Sequence, residues 1–239
     1  MKIYSEIVFN NFSTKTFLRH LHNPIREYES EIIDGAIIDF GCGQTSLLLD
    51  YANYNRDLFA VDNEQCQLDM LKQRVNGLGN NLANWNYINS DFFKQNFPDK
   101  IFSIMFFSNI LHFFTLKECE EVIGKIMNHS AKGTLIYISV HSNKFYANNP
   151  NDPGNNDYFK HYFSSNDLID LFKPEYFEII YSAEIEKVDS ITELQLTDMW
   201  LEKSYEYYGI TDRQIIENGK KRYLKNKKQS DIVSVFKRK

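Results

Sequence analysis

With 239 residues, 43% of them hydrophobic and 15% aromatic, the chain can bury a substantial core as one domain, alone or with a cap. Its formal net charge of −5 argues against a general nucleic-acid-binding surface. There is no apolar run long enough to span a bilayer and no signal-peptide pattern in Met1–Glu6. Cys42, Cys66 and Cys119 have no spacing that suggests a disulfide framework or a zinc site, so a cytoplasmic protein without a metal is expected.

Residues 1–35 precede the first strand signal. Phe9, Phe12, Phe17, Leu18 and Leu21 recur at roughly helical spacing until Pro24 interrupts them, which predicts a helical cover of one or two helices. Ala36–Phe40 is a short apolar run, a buried parallel strand, and it ends in Gly41-Cys42-Gly43. Gly41 permits a sharp turn, and Gly43, lacking a Cβ, lets a ligand lie against the backbone. A helix through Leu47, Leu48 and Leu49 is expected next, with its first N–H groups facing that ligand. Asp39 sits two residues before Gly41. Such an acid can face a cationic group on a ligand or cap the turn, and it would sit badly against a pyrophosphate.

Leu58–Asp62 reads as the second strand. Asp62 lies 62 − 43 = 19 residues beyond Gly43, room for one helix and one strand, and an acid at that strand end can accept both hydroxyls of a ribose. Its alternative role is to cap the helix that begins at Asn63-Glu64-Gln65 and carries Leu68, Leu71 and Val75. After the loop at Gly77–Asn81, Trp85–Phe92 reads as a third strand closing in Ser90-Asp91-Phe92. Ile101–Phe107 is a continuous apolar run, suited to a central strand covered on both faces. Ser108–Phe114 follows, with His112 in it.

Thr115-Leu116-Lys117-Glu118 is a capping box, and Cys119, Val122, Ile123, Ile126 and Met127 form the core stripe of its helix. Thr134–Val140 reads as the fifth strand. Residues 141–163 break the rhythm with Asn, Pro, Gly and Asp, yet carry Phe145, Tyr146, Tyr158, His161 and Tyr162, which predicts a functional lid. A helix from Ser164, a strand over Phe177–Tyr181, a helical insertion at about 190–228 (helices 192–208 and 211–224) and a closing strand over Asp231–Phe236 complete the chain. The basic cluster Lys220, Lys221, Arg222, Lys225, Lys227, Lys228 and Lys237–Lys239 reads as a solvated face, with an anionic substrate or RNA as the sharper alternative. No aromatic stacking platform accompanies it.

Ile37–Ser46 resembles the first motif of the class I S-adenosylmethionine-dependent methyltransferases, hydrophobic-hydrophobic-Asp-x-Gly-x-Gly. The family's usual third glycine is Thr45 here, and its frequent Asp near the fourth strand is absent, with Lys100 and Ser103 flanking the place. Asp62, Asp91-Phe92, Leu111-His112 and Tyr162-Phe163-Ser164 match further family stretches. The likeness is strong over residues 36–181 and loose at the ends. It implies an α/β Rossmann-like three-layer sandwich: a mostly parallel seven-stranded sheet, its last strand antiparallel, with helices on both faces. It also implies a cofactor site of Asp39, Phe40, Gly41, Cys42, Gly43, Asp62, Asn63, Asp91, Phe92, Ser108 and Asn109. Asp91 would bind the adenine amino group, Phe92 would lie along the ring, and Asn109 would meet the amino-acid end.

The chemistry implied is in-line displacement of a methyl from S-adenosylmethionine onto a small-molecule acceptor, where the protein chiefly positions the reactants and excludes water. A base is needed only if the acceptor carries a proton it cannot lose first. His112, His141 and His161 are the candidates, none with a partner visible in the sequence. An NAD(P)-dependent oxidoreductase would share Gly41, Gly43 and Asp62, although Asp39, Ser90–Phe92 and Asn109–Phe114 disfavour it. A non-catalytic cofactor-binding scaffold is the other alternative.

Overall fold

The computed structural model describes residues 2–12, 24–149, 159–188, 190–223 and 228–239. Its apolar runs form strands β1 (Ala36–Phe40), β2 (Asp57–Asp62), β3 (Asn84–Asn89), β4 (Phe102–Ser108), β5 (Ser130–His141), β6 (Phe177–Val188) and β7 (Lys228–Arg238). They make one sheet in the order β3-β2-β1-β4-β5-β7-β6. Neighbours from β3 to β5 pair in parallel, and β7 runs antiparallel to both β5 and β6. The three-layer α/β sandwich implied by the resemblance is therefore present.

Alternation along each strand sends side chains to both faces, and both are covered. Ile38, Phe40, Met105, Phe107, Ile136 and Ile138 pack under helices α3 (Leu116–Asn128) and α4 (Ser165–Leu171). Ile37, Leu58, Ala60, Ile104, Phe106 and Tyr137 pack under α2 (Gln65–Asn76) and the short segments that follow β1. A smaller cluster of Ile7, Val8 and Leu196 joins α1 (Lys2–Asn11) to α5 (Ile191–Tyr207), and α6 (Arg213–Tyr223) follows α5. The capping box at Thr115 and Glu118 forms as read, and Ser164/Asp167 and Ser190/Glu193 form two more.

Several boundaries differ from the sequence reading. The helix expected after Gly43 is two short 3-10 turns, Gly43–Thr45 and Leu47–Tyr51, separated by an extended Ser46. The cause is Asp39. One of its oxygens accepts from Ser46 Oγ at 2.6 Å and from Leu47 N at 3.2 Å, and Ser46 Oγ accepts from Leu48 N at 3.1 Å. These bonds occupy the donors an α-helix start would leave free. The N-terminal helix covers Lys2–Asn11, and Pro24 opens a 3-10 stretch, Pro24–Glu31. β3 stops at Asn89, so Ser90–Phe92 form the turn beyond it. β6 and β7 run longer than predicted because they pair with each other along Phe177–Val188 and Lys228–Arg238. Phe17, Leu18, Leu21, Lys225, Lys227 and most of the loop centre, including Tyr158, lie outside the described residues. Among the described residues no helix is long and apolar enough to cross a membrane.

Candidate cofactor and acceptor site

The site is built on the carboxyl ends of β1, β2, β4 and β5, the edge where open α/β sheets hold their ligands. Gly41 N and Cys42 N both donate to Val61 O, at 2.8 and 3.1 Å, which ties the end of β1 to β2. Gly41 (φ 66°) and Gly43 (φ 56°) are both left-handed. Their surroundings differ. A Cβ on Gly41 would stand 2.0 Å from Ile110 Cδ1, whereas the nearest atom to one on Gly43 is Gln67 Oε1 at 4.0 Å. Gly41 is thus closed in by Ile110, whose flexible Cδ1 end would have to move aside, and Gly43 leaves a cradle open to a ligand. Gly41→Ala is expected to cost more than Gly43→Ala, since repacking of Ile110 adds to left-handed strain of ~1–2 kcal/mol. Gly43→Ala should cost only about that strain and act mainly on S-adenosylhomocysteine affinity. Urea unfolding and calorimetric titration of both variants check this, and equal destabilisation would refute it.

Asp39 is buried, and its Oδ1 has no hydrogen-bond partner. Burial pushes its carboxyl up to about 7 against the bonds from Ser46 and Leu47. Phe40 and Cys42 are buried too. Phe40 packs in a ring cluster with Phe92, Phe97 and Phe107, at centroid distances of 5.3, 4.2 and 4.8 Å. At the end of β2, Asp62 Oδ2 accepts from Gly43 N and Oδ1 from Glu64 N, both at 2.9 Å. The carboxylate therefore spans the glycine turn and the start of α2, beside an exposed Asn63. Burial raises its pKa in spite of those bonds.

Asp91 Oδ1 accepts from Phe93 N at 3.1 Å, and Oδ2 lies 3.1 Å from Lys94 Nζ. Partial burial opposes its charge, but Lys94 and the turn's N–H groups outweigh that and hold its pKa below the ordinary value. The Phe92 ring stands in the core cluster instead of projecting outward. This turn is held by Lys125 of α3, a residue the sequence reading missed. Its ammonium donates to Phe92 O, Phe93 O and Gln95 O at 3.0, 2.5 and 2.8 Å. Lys125→Met is expected to cost ~1–3 kcal/mol through three unmatched carbonyls and to loosen the Asp91 turn. Thermal unfolding and hydrogen exchange over residues 90–95 would show it, and unchanged exchange would count against the assignment.

A second group missed in the sequence fastens α1 over the glycine turn. Gln44 N donates to Gln67 Oε1 at 3.1 Å, Gln44 Nε2 to Ser5 O at 2.8 Å, and Gln67 Nε2 to Ser5 Oγ at 2.5 Å. Arg74 Nη2 donates to Gln44 Oε1 at 2.8 Å and to Phe12 O at 3.3 Å. Composition gave no signal for it, because the partners are 23 to 62 positions apart.

Beyond β4, Asn109 is a non-glycine residue at φ 53°. Ser139 fixes it: Asn109 N donates to Ser139 O at 2.9 Å, and Ser139 Oγ donates to Asn109 Oδ1 at 2.7 Å. Ser108 is half-buried beside it. Of the three histidines, His112 and His141 meet, with rings parallel within 5° and 3.9 Å apart. His112 Nδ1 accepts from His141 N at 3.2 Å, and burial with the neighbouring His141 pushes its pKa down to about 2. His112 is therefore neutral, with its ring lone pair already engaged. His141 Nδ1 lies 2.7 Å from Asp231 Oδ1. His161 is elsewhere, 3.2 Å from Asp167 in the cap of α4. Phe145, Phe159 and Tyr162 surround the stacked pair, with Phe113 alongside. Among the described residues, no group of His, Cys, Asp and Glu side chains could hold a metal ion.

Residues 37–133 match a family model described as a methyltransferase domain. Solved structures share the fold. A protein titled a SAM-dependent methyltransferase from Methanosarcina mazei is 16% identical, covers 90% of this chain and 97% of its own, and has a TM-score of 0.59. The YjhP protein of E. coli is 12% identical over the whole of both chains, with a TM-score of 0.62. Coclaurine N-methyltransferase, solved with N-methylheliamine and SAH, is 14% identical, covers 89% of this chain and 71% of its own, and has a TM-score of 0.60. No curated protein matches the sequence.

The match marks residues 37–133 as a methyltransferase domain, and the strand order and glycine turn around it are those of a Rossmann-like fold shared with these solved structures.

Proposed function

We propose that the acceptor is a small molecule, bound between α1, the loop after Asn109 and the segments around His141 and His161. The observation that carries this is the cluster of Phe113, Phe145, Phe159 and Tyr162 around two histidines, in the segments that follow Asn109 and β5 at the carboxyl end of the sheet. Largely apolar walls with few converging polar groups suit a small ligand. The basic tail supports the same reading, because three of its described cations are used within the protein. Lys220 pairs with Asp198 and Glu202 at 2.8 and 2.5 Å, Lys237 pairs with Glu31 at 2.6 Å, and Arg238 donates to Tyr176 O at 2.8 Å.

S-adenosylmethionine supplies an electrophilic methyl on a positive sulfur. In this proposal Asp39 faces the cofactor's amino group, with the unpartnered buried Oδ1 and the open cradle at Gly43 as the fit. Asp62 retains acceptor capacity on both oxygens for the ribose hydroxyls, with Asn63 beside it. Asp91 takes the adenine amino group, with Phe92 buttressing that turn from the core, and Ser108 and Asn109 meet the amino-acid end. Residues 1–239 act as one methyltransferase unit. The unpaired thiols Cys42, Cys66 and Cys119 support a reducing compartment, the cytoplasm. The test is transfer from methyl-labelled cofactor into a deproteinised metabolite extract, compared with total RNA and total protein. Label is expected in the metabolites, and label confined to RNA or protein would overturn the small-molecule reading.

A further inference from the structure

The two stacked histidines have opposite uses for their nitrogens. His141 closes β5 and lies directly across from Asp231 of β7 in the strand register. Asp231 is itself mostly buried, and its Oδ1 is 2.7 Å from His141 Nδ1. A proton on Nδ1 directed at the carboxylate leaves the lone pair on Nε2, a tautomer assigned from this hydrogen bond. The ring cannot swing away from that pose. His112 lies 3.9 Å from one face, Phe145 lies 3.8 Å from the other, and Phe159 stands edge-on at 4.7 Å. Side-chain exposure of 14% remains.

We infer that His141, aligned by Asp231, is the general base that takes a proton from the methyl acceptor, and that the accepting atom is a hydroxyl oxygen or an ammonium nitrogen. This rests on the methyl-transfer reading above. A base held by a third group is the arrangement that activates weak nucleophiles elsewhere. Its position fits: His141 is two residues beyond Ser139, whose hydroxyl holds Asn109, and so lies about 7 Å further along the strand.

The charged surroundings leave Asp231 as the partner. From the loop after β4 comes His112, which is neutral. From β6 comes Glu184, tied to Lys144 at 2.6 Å and to Ser230 Oγ at 3.1 Å. His161 is turned to Asp167. The acceptor's X–H proton passes to Nε2, and its electron pair forms the bond to the methyl carbon. The sulfur–methyl bond breaks with its pair left on sulfur, giving neutral S-adenosylhomocysteine. The imidazolium, stabilised by Asp231, then returns its proton to solvent. Asp231 is a positioning residue, since it acts through the ring.

The experiment has two arms. In the first, nitrogen-edited NMR of the protein with S-adenosylhomocysteine bound follows His141 from pH 5 to 9. A neutral ring protonated at Nδ1 with a free Nε2 lone pair is expected, and that tautomer preference should be lost in Asp231→Asn. A neutral His141 protonated at Nε2 in the wild type overturns the inference, whatever the acceptor. In the second, label transfer into the metabolite extract is followed from pH 5.5 to 9.5 for wild type, His141→Gln and Asp231→Asn, with S-adenosylhomocysteine titrations alongside. Turnover of His141→Gln should fall about a hundredfold or more with cofactor affinity nearly unchanged. The deficit should shrink at the alkaline end, where the acceptor ionises unaided. Wild-type turnover in His141→Gln, or a deficit equal at every pH, overturns the inference. If wild type labels only RNA or protein, the small-molecule reading fails, and the same pH comparison on the labelled fraction still decides the role of His141.

Discussion

Asp62→Ala is expected to weaken S-adenosylhomocysteine binding by about a hundredfold while leaving the fold intact. Two charge-assisted hydrogen bonds to ribose hydroxyls, each worth at least ~1.5 kcal/mol, amount to about that factor. The variant also frees Gly43 N and Glu64 N, both anchored to Asp62 at 2.9 Å, so the turn loses its tie to β2 together with the ligand contact. Burial raises the Asp62 pKa, and affinity should therefore fall on acidification before the ordinary carboxylate range is reached. Calorimetric titration of a variant with native circular dichroism is the measurement. Unchanged affinity would mean that Asp62 serves only the turn and the start of α2.

Asp39→Asn should act in opposite directions on stability and on binding. The Asp39 carboxyl is held up at about 7, against 3.8 for an ordinary aspartate, first of all by burial. Between those values the unfolded chain has released a proton that the folded chain keeps. The folded state then binds more protons, so stability falls as pH rises through this window. The loss is on the order of 4 kcal/mol at neutral pH and above. Asparagine removes that titration and keeps an oxygen for Ser46 and Leu47. The ligand-free variant should therefore be more stable than wild type at pH 8 and nearly level with it at pH 4. Cofactor affinity should fall at pH 8, because the negative charge proposed to face the amino group is gone. Urea unfolding at the two pH values, with a titration at pH 8, gives both readings. A variant that keeps the wild-type pH slope would show that Asp39 is not the group responsible.

What could be read from the sequence was what is local. The apolar runs at Ile37, Leu58 and Phe102 became the central strands, and Gly41 and Gly43 took up the left-handed turn. Thr115 and Glu118 capped their helix because both partners lie within four residues. The segment after Gly43 was misread as an α-helix because the bonds that break it come from Asp39, seven and eight positions back. β6 was cut short at Tyr181 because Glu184, Glu186 and Lys187 look like loop chemistry. Glu184 and Glu186 are the exposed side of an edge strand whose register β7 reveals, and Lys187, on the other face, pairs with Glu193. The partner of His141 was invisible for the same reason, being 90 residues away. Lys125 resembled any surface lysine, since carbonyl acceptors leave no trace in side-chain identity.

The placement of β7 has a consequence for how the molecule is made. A ribosome delivers β1 to β5 first, and these can pair as they emerge, because their order in the sheet grows outward from β1. β6 arrives next with no neighbour to join, since its sheet partner among the described residues is the strand made after it. Until residues 228–238 appear, β5 presents an open apolar edge, the kind of surface that recruits other nascent chains. Late synthesis is therefore the hazardous interval for this polypeptide, and it ends when one strand slots between two others and brings Asp231 to His141.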